Sequence, residues 1–164
     1  MKIMNFFNTL LLVILISLQY LIFCCSTRIV DGTSMYPTLH DRDIIYVSQM
    51  IPLLTPIRRG DIIGITTDIS GQSNRIIKRV IGLPGEEVEL KDGVITVNGE
   101  KIKQPFLAPD VKTDGEFHFK LNEGQYVVLG DNRPVSMDSR DTRIGIIHKS
   151  EIDFVYIGVK HCRE

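Results

Sequence analysis

From Phe6 to Cys25 the chain reads FFNTLLLVILISLQYLIFCC, 20 residues without a charge. Wound as an α-helix at about 1.5 Å per residue, a run of that length covers a hydrocarbon core of roughly 30 Å. Asn8, Thr9, Ser17 and Gln19 weaken its apolarity only slightly. A cleaved export signal or a lipidated one would be the ordinary alternatives. The apolar core is longer than the roughly 7 to 15 residues of an export signal, and no clear small-x-small site follows it. Cys24 follows the bulky pair Ile22 and Phe23, where lipoprotein processing requires small side chains. The expectation is therefore an uncleaved membrane anchor. Lys2 precedes the run and Arg28 follows it, so charge bias gives little orientation to the span, and topology has to come from function.

Residues 28–164 then have room for one modest domain. The formal net charge is −1, and no block of lysine or arginine exists that could track a phosphate backbone, which argues against nucleic acid as a partner. Cys24 and Cys25 belong to the apolar run and Cys162 to the extreme end of the body, so no disulfide framework is expected. Stability must come from burying the Ile, Val and Leu that the composition supplies.

After Arg28 the pattern changes to short β-type runs punctuated by Gly, Pro, Asn and Asp. Asp43–Val47, Asp61–Thr66, Arg75–Ile81, Tyr126–Leu129 and Phe154–Val159 suit strands, and no long amphipathic helical period appears among them. In VELKDGVITVNGEKI, Asp92-Gly93 and Asn98-Gly99 supply turns that tolerate positive φ between β-branched runs, which predicts a hairpin or small meander. Pro105, Pro109 and the mixed segment to Asn122 read as loop, with Phe117 and Phe119 packing its base and His118 facing away. The fold expected is mainly β, an antiparallel domain on one helical anchor.

Three segments carry possible chemistry. Ser34 sits in a Gly- and Pro-bounded turn, DGTSMYPTL, where a hydroxyl can face a cleft or simply bond nearby backbone. A serine nucleophile needs a base, and lysine can serve only while its amine is neutral. On a strand Arg75–Ile81, Lys78 shares a face with Ile76 and Val80, while Arg79 shares the other with Ile77 and Ile81. Apolar neighbours would disfavour the charged amine, and burial can lower a lysine pKa by up to roughly 3 to 5 units. The ordinary alternative is a strand-edge lysine snorkelling to water. The third segment, GDNRPVSMDSR from Gly130 to Arg140, is either a solvated loop or a hydrogen-bonded scaffold for a base and a nucleophile.

Taken together, GTSMYPTL, RRGDII, IIKRVIGLPGE and GDNRPVSMDSR, in that order behind an apolar N-terminal run, resemble the motif set of the bacterial type I signal peptidases, in a short Gram-positive-like form. The resemblance implies Ser34 as nucleophile, Lys78 as general base, and Ser136 as the hydroxyl that orients the lysine amine. Asp138 and Arg140 match the pair that braces the site, Asp131 and Arg133 lie in the same supporting loop, and Arg79 follows the catalytic lysine. It implies an oxyanion donor in the Ser34 backbone N–H; Gly32 stands where some members add a serine hydroxyl, so that second donor is missing. Met35, Leu39 and Ile77 are the expected walls of shallow pockets for small-x-small sites. Substrates would be the signal peptides of exported preproteins, laid beside a strand edge. The implied organisation is a cytoplasmic stub and transmembrane anchor over 1–27, then a catalytic β domain over 28–164 with a short variable lobe near 87–124. A single-pass protein of the plasma membrane with its body on the outer face follows, with the lipid bilayer as a partner and no cofactor.

Rival readings are fewer. A Ser-His-Asp hydrolase could draw on His40, His118, His148 or His161, none of which sits in a recommending motif. Paired metal-ligand spacing and CxxC are lacking, so no metal is expected. A repressor-type Ser-Lys autoprotease would be cytosolic and joined to a DNA-binding domain, which the apolar run opposes. A dedicated peptidase maturing one secreted or conjugation protein would use the same dyad, and a silent membrane-bound β module binding exported peptides would lack its activity.

Overall fold

Alternating apolar residues in the body leave little choice but sheets, and the chain forms two. The computed structural model describes residues 2–69, 71–107 and 111–161, with the side chains of 2–6, 18 and 20–24 outside the description. Readings that fall on Pro109, on Cys162 and on the Cys24 side chain therefore lie outside the described residues.

Helix α1 runs from Lys2 to Cys24, 23 residues, and the side chains of Leu10 to Ile16 along it are exposed. Among the described residues, no helix is long and apolar enough to cross a membrane, so the structure does not itself demonstrate a span. The chain enters strand β1 (Cys25–Ile29) without a linker, so Cys25 belongs to the sheet and not to the end of the helical run.

β1 pairs antiparallel with β2 (Ile44–Ser48); a single turn of helix, α2 (Ile51–Leu54), then leads toward β3 (Ile62–Ile69) and β4 (Gln72–Gly82). Strands β5 (Glu87–Lys91), β6 (Val94–Val97), β7 (Glu100–Lys101) and β8 (Phe117–Lys120) form the smaller sheet, in the order β7-β6-β5-β8. The chain returns through β9 (Gln125–Leu129), β10 (Ile147–His148) and β11 (Ile152–Lys160) to complete a seven-stranded sheet ordered β1-β2-β11-β3-β4-β9-β10. All pairings are antiparallel.

The five strands expected from alternation appear with their ends moved by no more than three residues, and the predicted meander is β5-β6-β7, with Asp92 and Asn98 at positive φ in its turns. Phe117–Lys120 is a strand and not a loop: pairing with β5 satisfies its backbone. Phe117 and Phe119 stack with centroids 4.9 Å apart over the small sheet's core, and His118 is exposed, as alternation requires.

Three apolar clusters stabilise the body. One lies among Ile63, Ile65, Val80, Val128 and Ile147; another, beneath the small sheet, among Val88, Leu90, Ile95 and Leu129. The third gathers Val30, Met35, Leu39, Ile45, Val47, Ile62 and Phe154. A Cβ on Gly64 would fall 2.1 Å from the Phe154 ring, so glycine at that point of β3 lets the ring close the third cluster.

Candidate active site

The turn carrying Ser34 is anchored from below. Met35 and Leu39 are both buried in the third cluster, and Leu39 N–H donates to the Met35 carbonyl at 2.9 Å, closing one helical turn. Gly32 N–H donates to Asp41 at 2.7 Å. Met35 and Leu39 pack into the core, and Ser34 between Thr33 and Met35 is half-buried. Leu39, expected as a pocket wall, is fully buried core instead: the turn needs it as its anchor.

β4 delivers Lys78 to that hydroxyl. Its register sets Lys78 opposite Ile63 of β3, and the side chain is only 3% exposed. Nζ lies 2.8 Å from Ser34 Oγ and 3.0 Å from the Ile77 carbonyl, across 44 positions of sequence in the first case. Burial brings the amine down from 10.5 to about 8, with Asp138 and Asp131 pulling the other way. At pH 7 about a tenth of the amine is thus uncharged, far more than for a solvated lysine, with a lone pair that can accept the Ser34 proton.

Arg79, next on β4, points to the other side and is closed off from water. Its guanidinium donates to both oxygens of Asp131, at 2.8 and 2.6 Å, and to the Gly60 carbonyl at 2.8 Å. Thr38 donates to Asp131 at 2.5 Å, which ties the serine turn to the same ion pair, and Phe106 stacks over the guanidinium at 4.1 Å. Spacing gives no hint of either contact, since Thr38 and Asp131 are 93 positions apart.

The segment Gly130–Arg140 is a scaffold and not a solvated loop. Asn132 N–H donates to the Ser34 carbonyl at 3.0 Å, and its side chain donates to the Thr33 carbonyl at 3.1 Å. Arg140 forks onto Asp138 at 2.8 and 2.9 Å, and Asp138 also accepts from Gly130 N–H at 3.0 Å. Arg133 is fully buried and donates to Gly130, Thr113 and Gln104, three uncharged acceptors; burial brings it down to about 10. Ser136 departs from expectation: its buried Oγ has no hydrogen-bond partner among the described residues, and the expected bond to the Lys78 amine is not formed. None of the four histidines bonds Ser34; His40 and His161 turn to Asp43, and His118 to Glu87.

Ser34 and Lys78 open onto a cleft of about 280 Å³, whose walls include Ile29, Met35, Ile76, Ile77 and Phe154. Of the three expected wall residues, Met35 and Ile77 line this cleft. A more open hollow of about 620 Å³ lies by Asp92, Gly93 and Val111–Glu116. It contains no buried amine beside a hydroxyl, so the smaller cleft is the candidate site.

A desolvated amine in contact with a turn serine is what a serine hydrolase using lysine as base requires. The family model described as "Signal peptidase, peptidase S26" matches residues 3–159, and the chain belongs to that family. It is 34% identical to signal peptidase I S of Bacillus subtilis (strain 168) over 92% of this chain and 85% of the relative. With a signal peptidase I of Bacillus amyloliquefaciens it shares 40% identity over 86% of this chain and 77% of the relative. Among solved structures, a signal peptidase I from Enterococcus faecalis V583 matches with a TM-score of 0.51 at 30% identity, covering 62% of this chain and 97% of that one.

Proposed function

We propose that this chain is a membrane-bound signal peptidase I that removes signal peptides from exported preproteins with Ser34 as nucleophile and Lys78 as general base. The observation that carries the reading is the 2.8 Å approach of a buried amine, its pKa lowered to about 8, to a serine hydroxyl. Neutral Lys78 takes the Ser34 proton as Oγ attacks the carbonyl carbon of the last signal-peptide residue. The resulting oxyanion draws on the Ser34 backbone N–H. Collapse expels the new amino terminus of the mature protein, which recovers the proton from the Lys78 ammonium, and water then releases the signal peptide. Asp131, Arg79, Asp138 and Arg140 hold the two reacting side chains in register, and Ser136 is the hydroxyl available to the amine when the side chain turns.

The substrate lies extended between Arg28–Asp31 and Arg75–Ile77, the two stretches that flank the cleft, with small side chains against Met35 and Ile77. The anchor is α1, whose 23 residues reach about 34 Å at 1.5 Å per residue. The body over 28–164, with its small lobe near 87–124, stands on the outer face where preproteins emerge.

The test incubates detergent-solubilised protein with a preprotein bearing a small-x-small site. Ser34→Ala and Lys78→Ala should each lose nearly all cleavage, because members of a cooperating dyad fail together. Lys78→Arg should be equally inactive, since guanidinium holds its proton. Wild-type rates in either alanine variant, or turnover by Lys78→Arg, would overturn the assignment.

A further inference from the structure

Away from the cleft, the far end of the Ser34 turn meets the end of β11 at a group of three potential ligands. Asp43 is 1% exposed, and its Oδ2 lies 2.8 Å from His161 Nδ1 and 3.6 Å from His40 Nδ1. The three ligand atoms all fall within 4.8 Å of one another. The carboxylate is already oriented, because Oδ2 accepts the His40 backbone N–H at 2.9 Å. The imidazoles stand edge to face with centroids 5.3 Å apart, and Tyr36 packs edge-on against His40 at 5.3 Å. Linear spacing hid the group, since Asp43 and His161 are 118 positions apart.

We propose that His40, Asp43 and His161 form a three-ligand site for a zinc-like divalent cation, which pins the Ser34 turn to the end of β11. Two imidazoles and one carboxylate suit zinc and its neighbours, whereas calcium and magnesium require oxygen-rich shells. Tetrahedral zinc with bonds of about 2.0 to 2.1 Å places its ligand atoms roughly 3.3 Å apart. The observed separations bracket that value, and both histidine rings are about half exposed, free to make the small adjustment while the buried carboxylate stays fixed. A bound cation takes the place of the hydrogen bond between His161 Nδ1 and Asp43. It adds a tie from the Ser34 turn, through His40, beside the backbone ladder that already pairs Ile44 of β2 with Lys160 of β11.

The experiment titrates Zn²⁺ calorimetrically into the full, detergent-solubilised chain carrying Cys24→Ser, Cys25→Ser and Cys162→Ser, so that thiols contribute nothing. One zinc per chain is expected at micromolar or lower concentration, with no competition from millimolar Ca²⁺ or Mg²⁺. His40→Ala and His161→Ala, both changes at exposed rings, should each weaken binding by about tenfold or more. Zinc at a hundredfold excess over its Kd should raise Tm by roughly 5 to 10 °C in the parent and much less in these variants. A double variant, His118→Ala with His148→Ala, should bind as the parent does. Absence of binding, or affinity unchanged by His40→Ala and His161→Ala, would overturn the site, as would affinity that follows His118 and His148. Ser34→Ala, which ends the proposed peptidase reaction, should bind zinc like the parent, so the two readings fail separately.

Discussion

Lys78 is a residue whose chemistry and whose effect on stability pull in opposite directions. Its amine is lowered to about 8 because burial disfavours the charged form more than Asp138 and Asp131 favour it. Cleavage should therefore rise about tenfold per pH unit as pH climbs toward 8 and level off above it, measured as kcat/KM against pH. A profile flat between pH 6 and 8 would remove lysine from the role of base. The stability consequence has the reverse sense. A group that holds its proton less tightly folded than unfolded destabilises the fold fully below about 8, and the penalty fades as pH rises through 8 toward 10.5. At about 1.36 kcal/mol per unit, that penalty is on the order of 3 kcal/mol at neutral pH. Lys78→Met should accordingly unfold at higher urea than wild type at pH 7 while being inactive, and the gain should shrink at pH 10. A loss of stability at pH 7 would mean that the bonds of the amine outweigh its desolvation.

Among the elements, the segment Gly130–Arg140 depends most on shape. A Cβ on Gly130 would fall 2.1 Å from Ser136 Oγ and 2.6 Å from the Ser34 carbonyl. Gly130→Ala must push the serine turn away from the loop that holds it, and a displacement near 1 Å costs on the order of a hundredfold in rate. A kcat within twofold of wild type would show that the close approach is dispensable. The sequence made the elements legible where local pattern rules: β4 alternates, the β5-β6-β7 meander carries its turn residues, and motif order brought Ser34 and Lys78 together on the page before they met in space. It was silent where distant partners decide. Phe117–Lys120 reads as loop because only β5 makes it a strand, and Leu39 reads as a pocket wall because only the third cluster makes it core. Phe106 over Arg79, Thr38 on Asp131 and the grouping of Asp43 with two histidines have no periodic signature at all.

For the whole molecule, the two sheets share the apolar cluster in which Ile81, Val127 and Leu129 meet Val88, Leu90 and Ile95, and the Gly130–Arg140 segment adds polar ties between them. Arg133 reaches from the Gly130–Arg140 segment to Gln104 and Thr113, which lie between β7 and β8 of the small sheet, and Arg140 donates to the Asp114 carbonyl. Arg133→Met strands the buried Thr113 hydroxyl and Gly130 carbonyl and should cost about 3 kcal/mol. Wild type should melt in one calorimetric transition. Two separated transitions would mean that the sheets unfold independently and that this joint carries no cooperativity. The opposite end of the body has its own constraint. α1 passes into β1 between Cys24 and Cys25 with no intervening residue, and β1 leads straight to the Arg28–Asp31 stretch beside the cleft. With that helix in the bilayer, as proposed, the reacting serine has a set altitude above the lipid. The enzyme would then measure as well as cut: a bond is severed only when its own helical segment, still lodged in the membrane, holds it at the same height.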